Sequence, residues 1–100
     1  MPKIYEYLGL IFFFYANEHL PIHVHVTNAG RESKFELKYE NGILEEITEK
    51  VVKGREELMR KEKEQAKLFI KEYHEGIIEK WKKFFVQKEK VICEVINKKI

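Results

Sequence analysis

The chain has 100 residues, of which 44% are hydrophobic and 36% charged, a size and composition typical of one globular domain with a single core. Its formal net charge of +2 is too small to indicate nucleic-acid binding by itself. The single cysteine, Cys93, excludes an internal disulfide and a cysteine-rich zinc site, and the absence of aspartate excludes a Ser-His-Asp triad.

Hydropathy patterning predicts a cytoplasmic protein with no membrane-embedded part. The longest apolar run, residues 8–16, is much shorter than the stretch of about 18 residues that marks a membrane-spanning helix. Residues 1–3 are followed directly by patterned sequence, so we expect no signal peptide. A lone cysteine is also typical of a reducing compartment.

The first half of the chain is predicted to form strands. Residues 3–8 alternate loosely between apolar and polar, and the aromatic run at 10–15 is typical of a strand that is buried on both faces. A loop follows and ends at Pro21, after which residues 22–27 alternate strictly. Proline cannot donate to a strand ladder, so we expect pairing to start just after it and assign Pro21 a structural role.

Two turn signals connect the later strands of this half. Residues 28–31 join the strand at 22–27 to an alternating segment at 34–39, which predicts a hairpin. Asn41-Gly42 is a second hairpin signal, and it leads into residues 43–47. We therefore expect the sheet to occupy residues 3–49.

The second half changes to a helical period over residues 55–86. From Phe69 onward, apolar residues recur in steps of four, four, four and three, which describes one face of a helix. Gly76 interrupts this stretch and predicts a kink, or two helices that meet between Tyr73 and Gly76. Residues 90–97 return to a β-rich composition and are predicted to form an extra edge strand.

The predicted fold is therefore α+β, as a single domain over residues 1–100. Strands followed by helices, rather than alternating with them, indicate an antiparallel sheet of four to five strands in the N-terminal half, with an extra C-terminal strand as an addition. A long or kinked C-terminal helix, or a helix pair, is expected to pack on it. Trp81 on the helix is interpreted as a core anchor.

Three of the four histidines fall within seven residues, at His19, His23 and His25. His23 and His25 are two apart on the predicted strand, so both rings project from the same face. Val24 and Val26 take the opposite face, which is the natural core side. His19 lies in the preceding loop, from which we expect it to fold back toward the other two.

Three interpretations of this cluster remain open. The histidines could be structural and hydrogen-bonded to a neighbouring loop, or form a recognition site for a partner chain, a nucleotide or RNA. They could also form a catalytic or metal site: His-x-His on a strand suits zinc or nickel, with a fourth ligand from Glu18, His74 or solvent. A neutral and a protonated imidazole could likewise act as general base and acid on RNA.

Basic residues near the predicted hairpin suggest a binding surface for phosphate or for a partner. These residues are Arg31, Lys34 and Lys38, and the last two share one strand face. If that face also carries the histidines, the two groups form one surface. The aromatic run at residues 12–14 must point to both sides of its strand, so it needs cover from the helix or from a second copy in a homodimer.

Several motifs together resemble a bacterial family of short domains of unknown function. They are Met1-Pro2-x-Ile4, the aromatic strand from Gly9 to Tyr15, His19-x-Pro21-x-His23-x-His25, Lys34-Phe35, and Ile77-Ile78-Glu79-Lys80-Trp81 followed by Phe84 or Phe85. The resemblance implies a gene that lies beside a small partner gene, in pairs proposed to be toxin–antitoxin modules. It implies no reaction, ligand or catalytic residue.

Two functions follow as hypotheses. The first is one component of a two-gene, toxin–antitoxin-like module that acts by protein–protein contact with the product of the adjacent gene. The second is a histidine-dependent toxin that cleaves RNA or another phosphodiester, with or without a bound metal. The lack of a recognisable catalytic constellation favours the first.

Overall fold

The order of strands and helices separates the sheet from the helix along the chain. The computed structural model of the protein describes residues 2–15 and 22–100. The first half contains β1 (Lys3–Tyr7), β2 (Leu10–Phe13), β3 (His23–Asn28), β4 (Arg31–Glu40) and β5 (Ile43–Val51). The second half contains helix α1 (Arg60–Trp81), a π-helical turn (Lys82–Val86) and strand β6 (Glu94–Ile96). Neither helical segment of these described ranges combines the length and the apolar character needed to cross a bilayer.

The strands form one six-stranded mixed sheet in the order β5-β4-β3-β2-β1-β6. Neighbours from β1 to β5 are antiparallel, whereas β6 lies parallel to β1. The α+β prediction is confirmed, but the described sheet has more strands than the four to five expected and is not purely antiparallel. The parallel pair arises because α1 carries the chain back across the sheet before β6 begins, and parallel neighbours require such a crossover.

A two-residue turn at Ala29-Gly30 sets the register between β3 and β4. Both residues have positive φ, 50° and 82°, which is the combination that a type I′ turn needs and that alanine rarely adopts. Asn28 therefore pairs with Arg31, and counting outward along the two strands pairs His25 with Lys34. The turn thus fixes which β4 side chains stand beside the histidines.

Helix α1 covers one face of the sheet, which we call the core face. Val24 and Val26 are fully buried there, in agreement with the sequence pattern. The central helix side chain is Phe69, whose ring centroid lies 4.9 Å from that of Tyr7 and 4.7 Å from that of Phe12. Full burial of one such side chain is worth roughly 1.5–3 kcal/mol, so these contacts hold the helix on the sheet.

Helix α1 begins at Arg60, later than the start predicted for the segment 55–86. The residues before it bond to the sheet instead: the Glu32 N–H donates to the Glu56 carbonyl at 2.8 Å, and the buried Leu58 bonds to β4 through its N–H. Because these tertiary hydrogen bonds satisfy the backbone there, the highly charged run before Arg60 does not join the helix. The charge composition of this run could not show that it lies outside the helix.

The helix is kinked at Tyr73, within the predicted region, where the backbone angles (φ −110°, ψ 15°) are not helical. One turn later the sheet approaches the helix so closely that a Cβ atom added at Gly76 would overlap the Tyr5 hydroxyl oxygen. Gly76 is therefore required by packing against β1. Burial, and after it the charge of Glu94, raises the pKa of Tyr5 to about 12, so this hydroxyl is protonated at neutral pH.

Replacing Gly76 with alanine is expected to destabilise the protein. Alanine gains about 1 kcal/mol of helix propensity over glycine, but overlap with the Tyr5 hydroxyl costs about 1–3 kcal/mol, so we expect a net loss of about 1 kcal/mol. Urea unfolding of Gly76→Ala measures it. The double variant Tyr5→Phe/Gly76→Ala removes the overlapping oxygen and should recover most of the loss relative to Tyr5→Phe alone. A Gly76→Ala protein more stable than the parent would contradict this account.

Candidate functional site

Both histidines of β3 lie on the sheet face opposite α1. We call this the histidine face and define it by Phe13, His23, His25, Glu32 and Lys34. Directly paired residues on neighbouring strands share a face, and His25 pairs with Phe13 on β2 and with Lys34 on β4. The ring centroids of His25 and Phe13 are 5.5 Å apart. The histidine face is therefore a polar and aromatic surface backed by the core.

Glu32 is the centre of a buried polar network on this face. Its side chain is only 3% exposed. Its Oε2 atom accepts a hydrogen bond from the Tyr15 hydroxyl at 2.7 Å and contacts His25 Nδ1 at 2.9 Å. Arg55 Nη1 lies 3.3 Å from Oε1. Three donors converge on one carboxylate, and this convergence offsets the cost of removing its charge from water.

His25 is enclosed by this network. It is 3% exposed, and the Tyr15 ring stacks on it with 3.9 Å between centroids. A carboxylate can only accept, so in this contact Nδ1 carries the hydrogen and donates it to Glu32. One partner of His25 is thus a side chain of the adjacent strand, and the loop whose backbone the structural interpretation invoked lies outside the described residues.

Arg55 reaches Glu32 because the chain turns past the tip of the β3–β4 hairpin after β5. The Arg55 N–H donates to the Val52 carbonyl at 3.0 Å, which closes this turn. The guanidinium also donates from Nη2 to the Gly30 carbonyl at 3.2 Å. One arginine therefore ties the hairpin tip to the buried carboxylate.

The predicted metal site can be described only in part. His23 is half-buried, with its ring centroid 5.7 Å from that of His25. His19, Glu18 and the structural Pro21 lie outside the described residues. Within residues 2–15 and 22–100, no group of three or more histidine, cysteine or acidic side chains could hold a metal ion. Binding of zinc or nickel by the three histidines, and their catalytic role, stay predictions.

The structure separates the basic residues predicted to bind phosphate or a partner. Lys34 stands directly opposite His25, and Lys38 shares its face of β4 farther along the strand. Arg31 is engaged elsewhere, because its Nη1 atom lies 3.2 Å from Glu56 Oε2 at the hairpin tip. Of the three, Lys34 is the one placed beside the histidines.

Sequence analysis did not identify Glu32, Tyr15 or Arg55 as members of the site. The sequence contained a signal for Glu32. Counting along both strands from the Ala29-Gly30 turn pairs Glu32 with Thr27, and this pairing places Glu32 diagonally next to His25 on the same face. An acidic residue in an alternating strand is usually interpreted as solvent-facing, so the burial of Glu32 was not expected from the sequence. Arg55 was placed at the start of the predicted helix, whereas it precedes α1 and turns toward the sheet, so only the tertiary structure shows its role.

Comparison with known proteins is consistent with the motif resemblance. Residues 9–82 match the family model described as Domain of unknown function (DUF4160). The chain belongs to the DUF4160 family. The matched range includes β2 to β5, α1 and every residue of the Glu32 network, but neither β1 nor β6. No curated protein and no solved structure matches the chain.

A recess of this DUF4160 domain lies between edge strand β5 and α1, away from the histidine face. This groove has a volume of about 660 Å³. Its apolar wall includes Ile43 from β5 and Leu68 from α1, which are 65% and 54% exposed. The charged groups differ between its two sides: the strand side carries Glu45, and the helix side carries Lys67, Lys71 and Glu75.

His74 lies at this groove and joins the helix to the sheet. Its Nδ1 atom is 2.6 Å from the Tyr39 hydroxyl of β4. Burial, and after it the charge of Glu75, raises the pKa of Tyr39, so the hydroxyl stays protonated at neutral pH. The sheet separates His74 from His23 and His25, so it cannot join them as the fourth ligand of one metal ion.

Trp81, interpreted from the sequence as a core anchor, is half-buried at the end of α1. It packs against the hydrophobic core, and its ring centroid lies 5.1 Å from that of Phe85. Its Nε1 atom is buried and has no hydrogen-bond partner among the described residues. Its role as a core anchor stays a prediction.

Replacing Glu32 with alanine is expected to destabilise the DUF4160 domain strongly. The change leaves the buried His25 and Tyr15 without their acceptor and Arg55 without its partner, so we expect a loss of about 3 kcal/mol in the free energy of unfolding. Denaturant unfolding measures it. The matched control is Glu56→Ala, which removes the exposed carboxylate paired with Arg31 and should change stability little. Equal effects of the two substitutions would contradict the central role of Glu32.

Proposed function

We propose that this DUF4160 domain is a binding module that acts by contact with a partner protein, as one component of a two-gene, toxin–antitoxin-like pair. The observation that carries the proposal is the groove between β5 and α1. Monomeric domains rarely leave large apolar side chains exposed side by side, and such places often mark interaction sites. Ile43 and Leu68, on two different elements, both line this groove and are exposed.

The occupant that fits the groove is a partner segment with apolar side chains along its centre. The groove presents Glu45 on its strand side, and Lys67 and Lys71 beside Glu75 on its helix side. A segment with basic residues toward β5 and acidic residues toward α1 would therefore bind in one orientation only. The motif resemblance suggests the product of the adjacent gene as the source of that segment.

The enclosure of His25 supports the choice of a binding module over an enzyme. A catalytic base must come within hydrogen-bonding distance of the proton that it abstracts, whereas Tyr15 and Phe13 pack against this ring. Its contact with Glu32 is sufficient to account for its presence on the strand.

Co-expression with the product of the adjacent gene tests the proposal. We expect the tagged domain to co-purify with that protein, and Leu68→Glu to reduce the recovered complex at least tenfold, because it places a charge in the apolar wall. Leu68 is exposed on α1, so the variant should fold normally.

The matched control for this experiment is Ile92→Glu. Ile92 is 77% exposed and precedes β6, at the opposite end of the sheet from β5. The complex should survive this change unaltered. Absence of any complex with the parent chain would refute the binding module, and equal loss in both variants would refute the groove as its site.

Histidine-dependent cleavage of RNA or another phosphodiester remains a second candidate because of one contact. Glu32 accepts a hydrogen bond from His25 Nδ1, and a carboxylate in this position orients the imidazole in many catalytic sites. In this case expression should arrest growth and cleave cellular RNA, and His25→Gln should abolish both effects. Circular dichroism verifies that the variant is folded. Undiminished arrest by folded His25→Gln would exclude the mechanism.

A further inference from the structure

Strand β5 has the longer of the two outer edges of the described sheet. It has nine residues and stands at one end of the sheet, whereas β6 at the other end has three. Its pairing with β4 is regular from Glu46 to Val51. A long unpaired edge offers backbone donors and acceptors to another strand, so its side chains decide whether such a strand can bind.

The backbone groups of Ile47 and Glu49 point away from the sheet. The Leu37 N–H donates to the Ile22 carbonyl at 2.8 Å, so Leu37 directs its backbone groups toward β3 and away from β5. Ile47 stands opposite Leu37, and the alternation of an antiparallel ladder therefore turns its own backbone groups outward, as it does those of Glu49. Within residues 2–15 and 22–100, no backbone hydrogen bond reaches this outer edge.

The β5 side chains on the histidine face change in charge from one side of Thr48 to the other. Glu46, Thr48 and Lys50 share this face, because each pairs with a β4 residue that lies on it. Lys50 stands directly opposite Lys34, where like charges destabilise a sheet. In the part of the chain that the structure describes, neither Glu46 nor Lys50 forms an ion pair. The segment is therefore acidic on one side of Thr48 and basic on the other.

We propose that β5 pairs antiparallel with β5 of a second copy of this chain, about a two-fold axis at Thr48. A two-fold axis makes the interface self-complementary, so each contact occurs twice. In this register Thr48 faces Thr48, and Glu46 of each chain faces Lys50 of the other. Ile47 and Glu49 exchange the backbone hydrogen bonds, as their outward direction requires. The dimer also gives each Lys50 an acidic neighbour that offsets its repulsion by Lys34.

Charge selects this register over its neighbours. An axis at Ile47 would place Glu45 opposite Glu49, and an axis at Glu49 would place the two Glu49 side chains opposite each other. Charged side chains protect an edge strand because pairing brings like charges together. The register about Thr48 instead forms two pairs of opposite charge, so the charges of β5 specify one pairing.

The core face of β5 does not oppose this register. It places Ile47 opposite Glu49 of the other chain. The charge of Glu49 is compensated within its own chain, because Lys63 Nζ lies 3.5 Å from its Oε1 atom. Between residues 46 and 50, no like charges therefore meet across the axis on either face.

The dimer goes beyond the proposed partner protein, because it needs only this chain. The groove lies between β5 and α1, and Leu68, which the co-expression experiment changes, is on the helix. The dimer uses the outer edge of β5. Loss of the dimer would leave the groove intact, and absence of a partner for the groove would leave the dimer intact.

Charge reversal on β5, followed by analytical ultracentrifugation of the purified chain, tests the pairing. We expect the parent to dimerise, and Glu46→Lys and Lys50→Glu each to raise the dissociation constant about tenfold, because each places two like-charge pairs across the axis. An equimolar mixture of the two variants should dimerise as the parent does, since every reversed side chain then faces its opposite charge.

The matched controls are Glu64→Lys and Lys61→Glu, which make the same charge changes at exposed positions on α1. Each should dimerise alone as the parent does. Circular dichroism verifies that all four variants are folded.

Cysteine cross-linking tests the position of the axis. In a Cys93→Ser background, Thr48→Cys should form a disulfide-linked dimer on mild oxidation, because Cα atoms of such a facing pair lie about 4.5 Å apart. Glu46→Cys should not, since four residues along the strand separate the two copies of this position by about 14 Å.

Four results would overturn the inference: a monomeric parent chain, a parent dimer that both reversals leave intact, a mixture that stays monomeric, or equal cross-linking at positions 46 and 48. A parent chain that is monomeric alone, but whose co-expressed complex is lost in Lys50→Glu, would assign the edge to the partner protein instead of a second copy.

Discussion

The buried carboxylate of Glu32 imposes a constraint on which much of this structure depends. Burial of a charge costs several kcal/mol unless donors surround it, and here the donors come from three separate parts of the chain. Tyr15 follows β2, His25 lies on β3 and Arg55 follows β5. A slip of one residue between β3 and β4 would turn Glu32 toward the core face, without any of these donors. The network therefore enforces the register that the Ala29-Gly30 turn begins.

The core face imposes a constraint of a different kind, which is steric. Phe69 packs between rings of β1 and β2, and this brings α1 so close to the sheet that Tyr5 leaves no room for a side chain at Gly76. A glycine that weakens an isolated helix thus strengthens its docking on the sheet. Specificity on this face comes from shape, whereas on the histidine face it comes from hydrogen bonds. The two faces of one sheet are fixed by independent means.

Local patterns predicted the elements whose causes are themselves local. The hairpin at residues 22–39 followed from strict alternation and a turn signal, and the kink near Gly76 from a glycine inside the helical period. The start of α1 was misplaced because the segment before Arg60 bonds to β4, a tertiary effect that sequence periodicity cannot show. The enclosure of His25 was missed for the same reason. Alternation shows which face a ring occupies, but Tyr15 covers that ring from outside the strand.

Strand β5 contributes side chains to both faces of the sheet. Ile47 pairs with Leu37 on the core side and lines the groove, whereas Lys50 pairs with Lys34 on the histidine face. Because successive side chains of a strand point to opposite faces, substitutions can alter one surface and leave the other intact. A partner in the groove would therefore contact the core side of β5 and not its histidine-face side chains. Coupling between the groove and the histidine face would require movement of β5. The register between β4 and β5 shifts between Lys38 and Tyr39, and such a bulge is the place where β5 is paired least regularly with β4.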